Sequence, residues 1–348
     1  MEFGLFLEFS CHDGLTQQDV FAESFALVDE AEQLGVDSVW LAEYHFLPQR
    51  SVLSAPITVA TAIAARTQRM RIGLAVHVLP LRNPVRIAEE IATLDHISQG
   101  RLDFGVGRST FPFIYEGFGM SFAESRGRFR ECLEVILKGW TMEQFSFEGE
   151  YYHYQNVCVV PKPFQSPHPP VSVGLTSAET FAIVGQMGYP VLINPSRAFT
   201  LSELAPYIQQ YRQARKAAGH DGESEVGLRV PVYLAETAER AYEEPRASTT
   251  EAMQRLVNIV GSSASGTGVT DDRSAQAERV RSMTYDDWLR EKVIYGTPEA
   301  VVDRLCQLQE DLGLTRIIYE INYGCQIPYQ LQINCLRLLT EKVIPQFK

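Results

Sequence analysis

Eight times along the chain, a short run of β-branched and aromatic residues gives way to a longer stretch whose apolar positions recur every three or four residues. Parallel strands need such crossover helices, because a tight turn cannot return the chain to the same end of a sheet. The eight runs begin at Phe3, Ser38, Met70, Arg101, Pro170, Pro190, Val226 and Arg316. Between them, VFAESFALVDEAEQLG closes on Gly35, and PVRIAEEIATLDHISQG carries Pro84 for a first turn and Gly100 for a stop. Eight such units predict an α/β fold of the (β/α)8 TIM-barrel type. An open doubly wound sheet is the alternative, but it offers no reason for the count to reach eight.

The 348 residues exceed the ~250 of a minimal barrel, so residues 1–348 are read as one barrel domain with insertions. Two segments fit no strand or helix unit. Ahead of the fifth strand, FSFEGEYYHYQNVCVVPKPFQSPHPP is aromatic and then Pro-rich, which predicts a small hairpin and a surface excursion. After the seventh, residues 247–290 include GSSASGTGVTDDRS and show little periodicity, which predicts a mobile insertion or lid.

No apolar run approaches the ~20 residues of a membrane helix, and MEFGLFLEF lacks the basic region and cleavage site of a secretory signal. Six scattered cysteines without a C-x-x-C pair fit reduced thiols, so a cytoplasmic protein is expected. A net charge of -12 without a basic cluster opposes nucleic-acid binding.

In a barrel, chemistry sits at the C-terminal ends of the strands. There VWLAEYHF ends in Glu43, Tyr44 and His45, the third strand ends near His77, and the fourth at Arg108 and Ser109. The fifth ends at Thr176 and Ser177, the sixth at Asn194, and the eighth at Glu320 and Asn322. Phe6, Trp40, Phe46, Phe111 and Phe113 are expected around this rim. TSAET at 176–180 opens a helix directly after a strand, where free N–H groups make an anion site; Thr176 and Glu179 also have capping-box spacing, which needs no ligand. Arg108 at the neighbouring strand end could complete a phosphate clamp. GVGR at 105–108 is not a dinucleotide fingerprint, and the histidines lack the spacing of a metal site. No metal is expected.

Taken in order, FGLFLEF, VWLAEYHF, VLPLRNPVRIAEEIATLDHISQGRLDFGVGR, PPVSVGLTSAET, GTPEAVVDRL and VIPQFK resemble the bacterial luciferase-like family of flavin-dependent monooxygenases. The resemblance implies reduced FMN as cofactor, O2 as cosubstrate, a separate flavin reductase and a homodimer. Its phosphate-contacting positions fall on Arg108, Ser177 and Thr180. Its non-proline cis peptide, beneath the flavin ring, falls on Ala75–Val76. Tyr44 stands where luciferase's catalytic subunit carries an acid/base His, and the non-catalytic partner lacks that His too.

The function expected is oxidation of an apolar or aromatic small molecule, with Tyr44 and His77 facing the reaction space and Glu43 supporting them. The alternatives are a deazaflavin-dependent oxidoreductase and a non-catalytic flavin-binding accessory subunit.

Overall fold

The computed structural model describes residues 1–195, 199–263 and 278–348, with backbone alone for 259–263. Its strands are β1 (Glu2–Leu7), β2 (Ser38–Leu41), β3 (Arg71–Leu74), β4 (His77–Val78), β5 (Leu102–Gly107), β6 (Phe145–Glu148), β7 (His153–Val157), β8 (Val171–Leu175), β9 (Val191–Ile193), β10 (Val226–Leu234), β11 (Ile294–Gly296) and β12 (Arg316–Glu320). The order β1-β2-β3-β5-β8-β9-β10-β12 is parallel throughout, and β12 pairs back with β1 (Phe3 beside Ile317), closing the ring. These are the eight strands expected from the periodicity. The third is divided, because β3 and β4 flank a cis peptide bond between Ala75 and Val76, the position the family resemblance singled out.

Side chains alternate across each strand, so one set fills the barrel and the other meets the helices. Trp40 occupies the interior as a floor, its Nε1 donating to Ser38 Oγ at 2.9 Å. Only glycine fits beside it. A Cβ on Gly73 would lie 2.2 Å from Trp40 Cε3, and one on Gly4 2.5 Å from Cδ1. On the outer face Phe104 packs edge-on to Trp140 at 5.5 Å between ring centroids. Trp140 in turn donates to the Ala88 carbonyl at 3.0 Å, tying two outer helices together. Helix ends follow the local signals: Gln17–Leu34 stops on left-handed Gly35, and Pro84–Ile97 starts with Asn83 accepting from the Arg86 amide.

The first insertion is the antiparallel hairpin β6–β7, as expected. The second differs from its sequence reading. Within 247–290, Arg246–Ser263 and Tyr285–Glu291 are helices, and the next strand, β11, extends β10 in parallel with Val232 beside Ile294. The segment TTEAMQRLVNIV carries a helical period that the neighbouring Gly- and Ser-rich stretch obscured. Leu256, Val280, Trp288 and Val293 bury one another in a separate small core. The lid expectation also falls on 264–277, outside the described residues. Among the described residues, no helix is long and apolar enough to cross a membrane.

Candidate functional site

A cavity of about 700 Å³ opens at the C-terminal ends of the barrel strands. Its middle is shaped by Val76. The side chain crosses the barrel so closely that a Cβ on Gly107 would lie 2.3 Å from its Cγ2, and one on Gly174 2.7 Å from its Cγ1. Two glycines on adjacent strands therefore let one β-branched residue form a shelf, and Ala75, Val76, Gly107 and Gly174 all line the cavity.

At one end the wall is built for an anion. Ser177 is the N-cap of the helix Ala178–Met187, its Oγ lies 3.4 Å from Thr180 Oγ1, and Thr180 Oγ1 donates to the Ser177 carbonyl at 2.6 Å. The capping-box alternative does not form: Ser177 rather than Thr176 is the N-cap, and Glu179 pairs with Arg126. Arg108 enters from the end of β5, with Nη1 donating to Ser125 Oγ at 2.9 Å and the guanidinium 5.4 Å from the Phe122 ring centroid. Arg126 and Arg130, from the helix Ser125–Thr141, line the same cavity. Helix-terminal N–H groups, two hydroxyls and several guanidiniums match the oxygens of a phosphate ester.

The opposite wall is a buried charge network. Arg50 Nη2 donates to Glu8 Oε2 at 2.8 Å and to the Tyr44 hydroxyl at 2.7 Å. Arg229 Nη2 donates to Glu320 Oε2 at 2.7 Å and lies 3.9 Å from Glu8 Oε2, while its guanidinium packs 3.6 Å from the Phe6 ring centroid. Cys325 Sγ donates to Glu8 Oε1 at 3.2 Å. Burial opposes ionisation of Glu8, but Arg50, Arg229 and the hydrogen bonds together hold its pKa below the usual carboxylate value. For Glu320 burial wins over Arg229, and the pKa is raised. Burial likewise raises the Tyr44 pKa above that of a free phenol, an effect Arg50 only partly offsets. Tyr44 therefore keeps its proton near neutral pH while its oxygen accepts from Arg50, which makes its O–H a hydrogen-bond donor at the cavity wall.

Glu43 is the node behind the shelf. It accepts from the Val78 amide at 3.0 Å and pairs with His45 Nε2 at 2.9 Å. His77 Nδ1 lies 2.6 Å from Glu43 Oε2 as a close charge contact without hydrogen-bond alignment. Although burial opposes its charge, His77, His45 and the amide push the Glu43 pKa well below the carboxylate range. One carboxylate thus fixes the chain where it resumes after Val76.

His77 does not face the reaction space as expected from the sequence. It is fully buried, outside the cavity, with its ring centroid 6.3 Å from that of Phe104. After the cis bond its pairing with Val106 turns it towards the helix layer with Phe104. The aromatic rim is also largely displaced: Phe111 lines the cavity, but Trp40 is the floor, Phe6 lies under Arg229, and Phe46 and Phe113 are exposed. Arg108, Ser177, Thr180, Tyr44, Glu43, Asn194 and Glu320 do converge on one cavity. Sequence reasoning missed Glu8, Arg50, Arg229 and Arg255. A signal existed for one of them, since Arg229 is a lone charge inside the apolar strand VGLRVPVYL; Arg50 and Arg255 come from a loop and an insertion that carry no register.

The family model described as luciferase-like monooxygenase matches residues 1–316. The Sinorhizobium fredii proteins y4vJ and y4wF are each 32% identical, over 47% and 52% of this chain; the chain spans about half of their length, 46% and 52%. The oxygenase component of flavin-dependent trigonelline monooxygenase from Acinetobacter baylyi is 24% identical, covering 100% of this chain and 96% of that protein. Among solved structures, monooxygenase RslO1 from Streptomyces bottropensis superposes with a TM-score of 0.82 at 26% identity over 100% of both chains. The oxygenating constituent of 3,6-diketocamphane monooxygenase from Pseudomonas putida, in complex with FMN, gives 0.82 at 20% identity over 99% and 98%. A coenzyme F420-dependent tetrahydromethanopterin reductase from Methanopyrus kandleri gives 0.73 at 20% over 100% and 99%. The barrel and the match over residues 1–316 agree: the chain belongs to the luciferase-like monooxygenase family.

Proposed function

We propose that this chain is the oxygenase of a two-component system, which takes reduced FMN from a separate flavin reductase and uses it with O2 to oxidise an organic small molecule. The observation that carries the reading is the division of one cavity into an anion-binding end, a central shelf and a hydrogen-bonding far wall. Arg108, Ser177 and Thr180 would hold the phosphate, and Ala75 and Val76 would support the ring system. When bound, FMN supplies the activation of O2. The chain supplies the rest. Its apolar walls, among them Val173, Leu175, Ile193 and Ile318, exclude water around the reacting groups. Tyr44, backed by Arg50, donates a hydrogen bond to oxygen developing negative charge on the substrate.

The Acinetobacter relative is the oxygenase component of its monooxygenase, which supports a separate reductase, and the FMN complex of a structural neighbour supports FMN. A deazaflavin cofactor is the second reading, favoured by the F420-dependent structural neighbours. An accessory flavin-binding subunit is a third, favoured by the missing His at Tyr44. Oxygen uptake separates them. Purified protein supplied with a flavin reductase and FMN should consume O2 in step with oxidised product from a substrate panel. Turnover with reduced deazaflavin alone would support the second reading, and flavin binding without any product the third.

A further inference from the structure

Beyond the flavin end, the cavity has an uneven charge. The wall around Tyr44 carries three guanidiniums, Arg50, Arg229 and Arg255, against Glu8 and Glu320, while the third lining carboxylate, Glu43, is engaged by His45, His77 and the Val78 amide. Arg50 is engaged by Glu8 and Tyr44, and Arg229 by Glu320, although Arg229 Nε has no hydrogen-bond partner among the described residues. Among the described residues, Arg255 has no carboxylate partner. It reaches in from the insertion helix Arg246–Ser263, and its Nη2 donates to the Gly324 carbonyl. That helix is fixed over the end of β12 by Ser248, whose Oγ donates to the Tyr323 carbonyl and accepts from the Gln326 amide at 3.0 Å. Arg255 is therefore held beside Cys325, whose thiol bonds to Glu8, and the three arginines belong to one contiguous wall.

Resting on the reading of the cavity as a flavin oxygenase site, we infer that the substrate is an organic anion, an apolar or aromatic body carrying a carboxylate that docks against Arg255 and Arg229. A carboxylate would supply the missing negative charge and accept from a guanidinium in the paired geometry that arginine favours. The body would lie against the apolar wall, with its reacting carbon towards Val76. Arg255 is then a specificity residue supplied by the insertion, distinct from the phosphate-binding end.

Two titrations test this. Binding of reduced FMN, followed anaerobically by its absorbance, is measured first; its failure counts against the flavin reading alone. Calorimetric titrations of paired ligands then follow in FMN-saturated protein, or in inorganic phosphate if FMN does not bind. The pairs are benzoate and benzamide, 2-naphthoate and 2-naphthamide, and indole-3-acetate and indole-3-acetamide. At least one acid should bind roughly 10-fold or more tightly than its amide, as expected of a charge-assisted hydrogen bond, and in Arg255→Gln the preference should fall to within about twofold, with FMN affinity unchanged. In Arg255→Lys, which keeps the charge, part of the preference should return. Amides binding as tightly as acids in the native protein, or an acid preference unchanged in Arg255→Gln, would overturn the proposal. The native comparison alone decides if the Gln variant does not fold.

Discussion

Tyr44 is asked to act with its proton on. Arg50 donates to its oxygen at 2.7 Å, and burial raises its pKa above 10.0, so the phenol stays neutral across the physiological range. Tyr44→Phe should therefore lower kcat about 100-fold while KM stays within about threefold, the pattern of a group whose bond matters most in the transition state. Steady-state kinetics at saturating FMN reads this, and an unchanged kcat would reduce Tyr44 to a piece of wall. Glu43 is a different kind of residue. Its folded pKa lies below the ordinary 4.5, so its contribution to stability is complete above pH 4.5 and is lost as the pH falls through the folded value. Glu43→Gln should cost about 1–3 kcal/mol at pH 7, the scale for leaving buried hydrogen-bonding groups unsatisfied, with a deficit that narrows as the pH falls below 4.5. Urea denaturation at pH 7, pH 5 and pH 3 measures both, and a deficit equal at pH 5 and pH 3 would contradict the assignment. VWLAEYHF announced both side chains, but a strand pattern cannot tell a residue on the cavity wall from one that braces the chain behind it.

The critical element is the third strand with its glycine neighbours. Val76 occupies space that Gly107 and Gly174 leave open, so Gly107→Ala places a Cβ 2.3 Å from Val76 Cγ2. The single change should cost about 1–3 kcal/mol by overpacking, and Val76→Ala combined with it should recover most of that loss. A double-mutant cycle of unfolding free energies checks the coupling; strict additivity would show that the contact carries no energy. The alternation of apolar runs revealed all eight barrel strands because each buries both faces. It did not reveal that β4 resumes with His77 turned outwards, because a break in register after Val76 leaves no mark in the periodicity. The helix Arg246–Ser263 was hidden for another reason: its apolar positions adjoin a stretch rich in Gly, Ser and Thr, and a reading averaged over both shows neither.

At the scale of the whole molecule, the barrel closes at one end on Trp40 and opens at the other into the cavity of about 700 Å³. Ligand groups come to that cavity from sequence positions as distant as Glu8 and Cys325. The strand-end positions were legible because barrel topology places them on one rim, whereas the charged wall depended on Arg50, Arg229 and Arg255 meeting in three dimensions. We also propose that the chain pairs as a homodimer, which would cover some of its exposed aromatics. Phe46 and Phe118, 54% and 42% exposed, pack against each other outside the cavity. Light scattering should then give about twice the 39.1 kDa chain mass, and the chain mass alone would refute the dimer.

In the proposed function, the cavity holds reduced FMN with its phosphate against Arg108, Ser177 and Thr180. Anaerobic titration with reduced FMN, in parallel with a reduced deazaflavin, measures it directly. Reduced FMN should bind saturably, and its binding should weaken about 10-fold or more in Arg108→Gln, the loss expected when a charge-assisted phosphate contact is removed. Binding of the deazaflavin without FMN, or FMN affinity indifferent to Arg108→Gln, would contradict it.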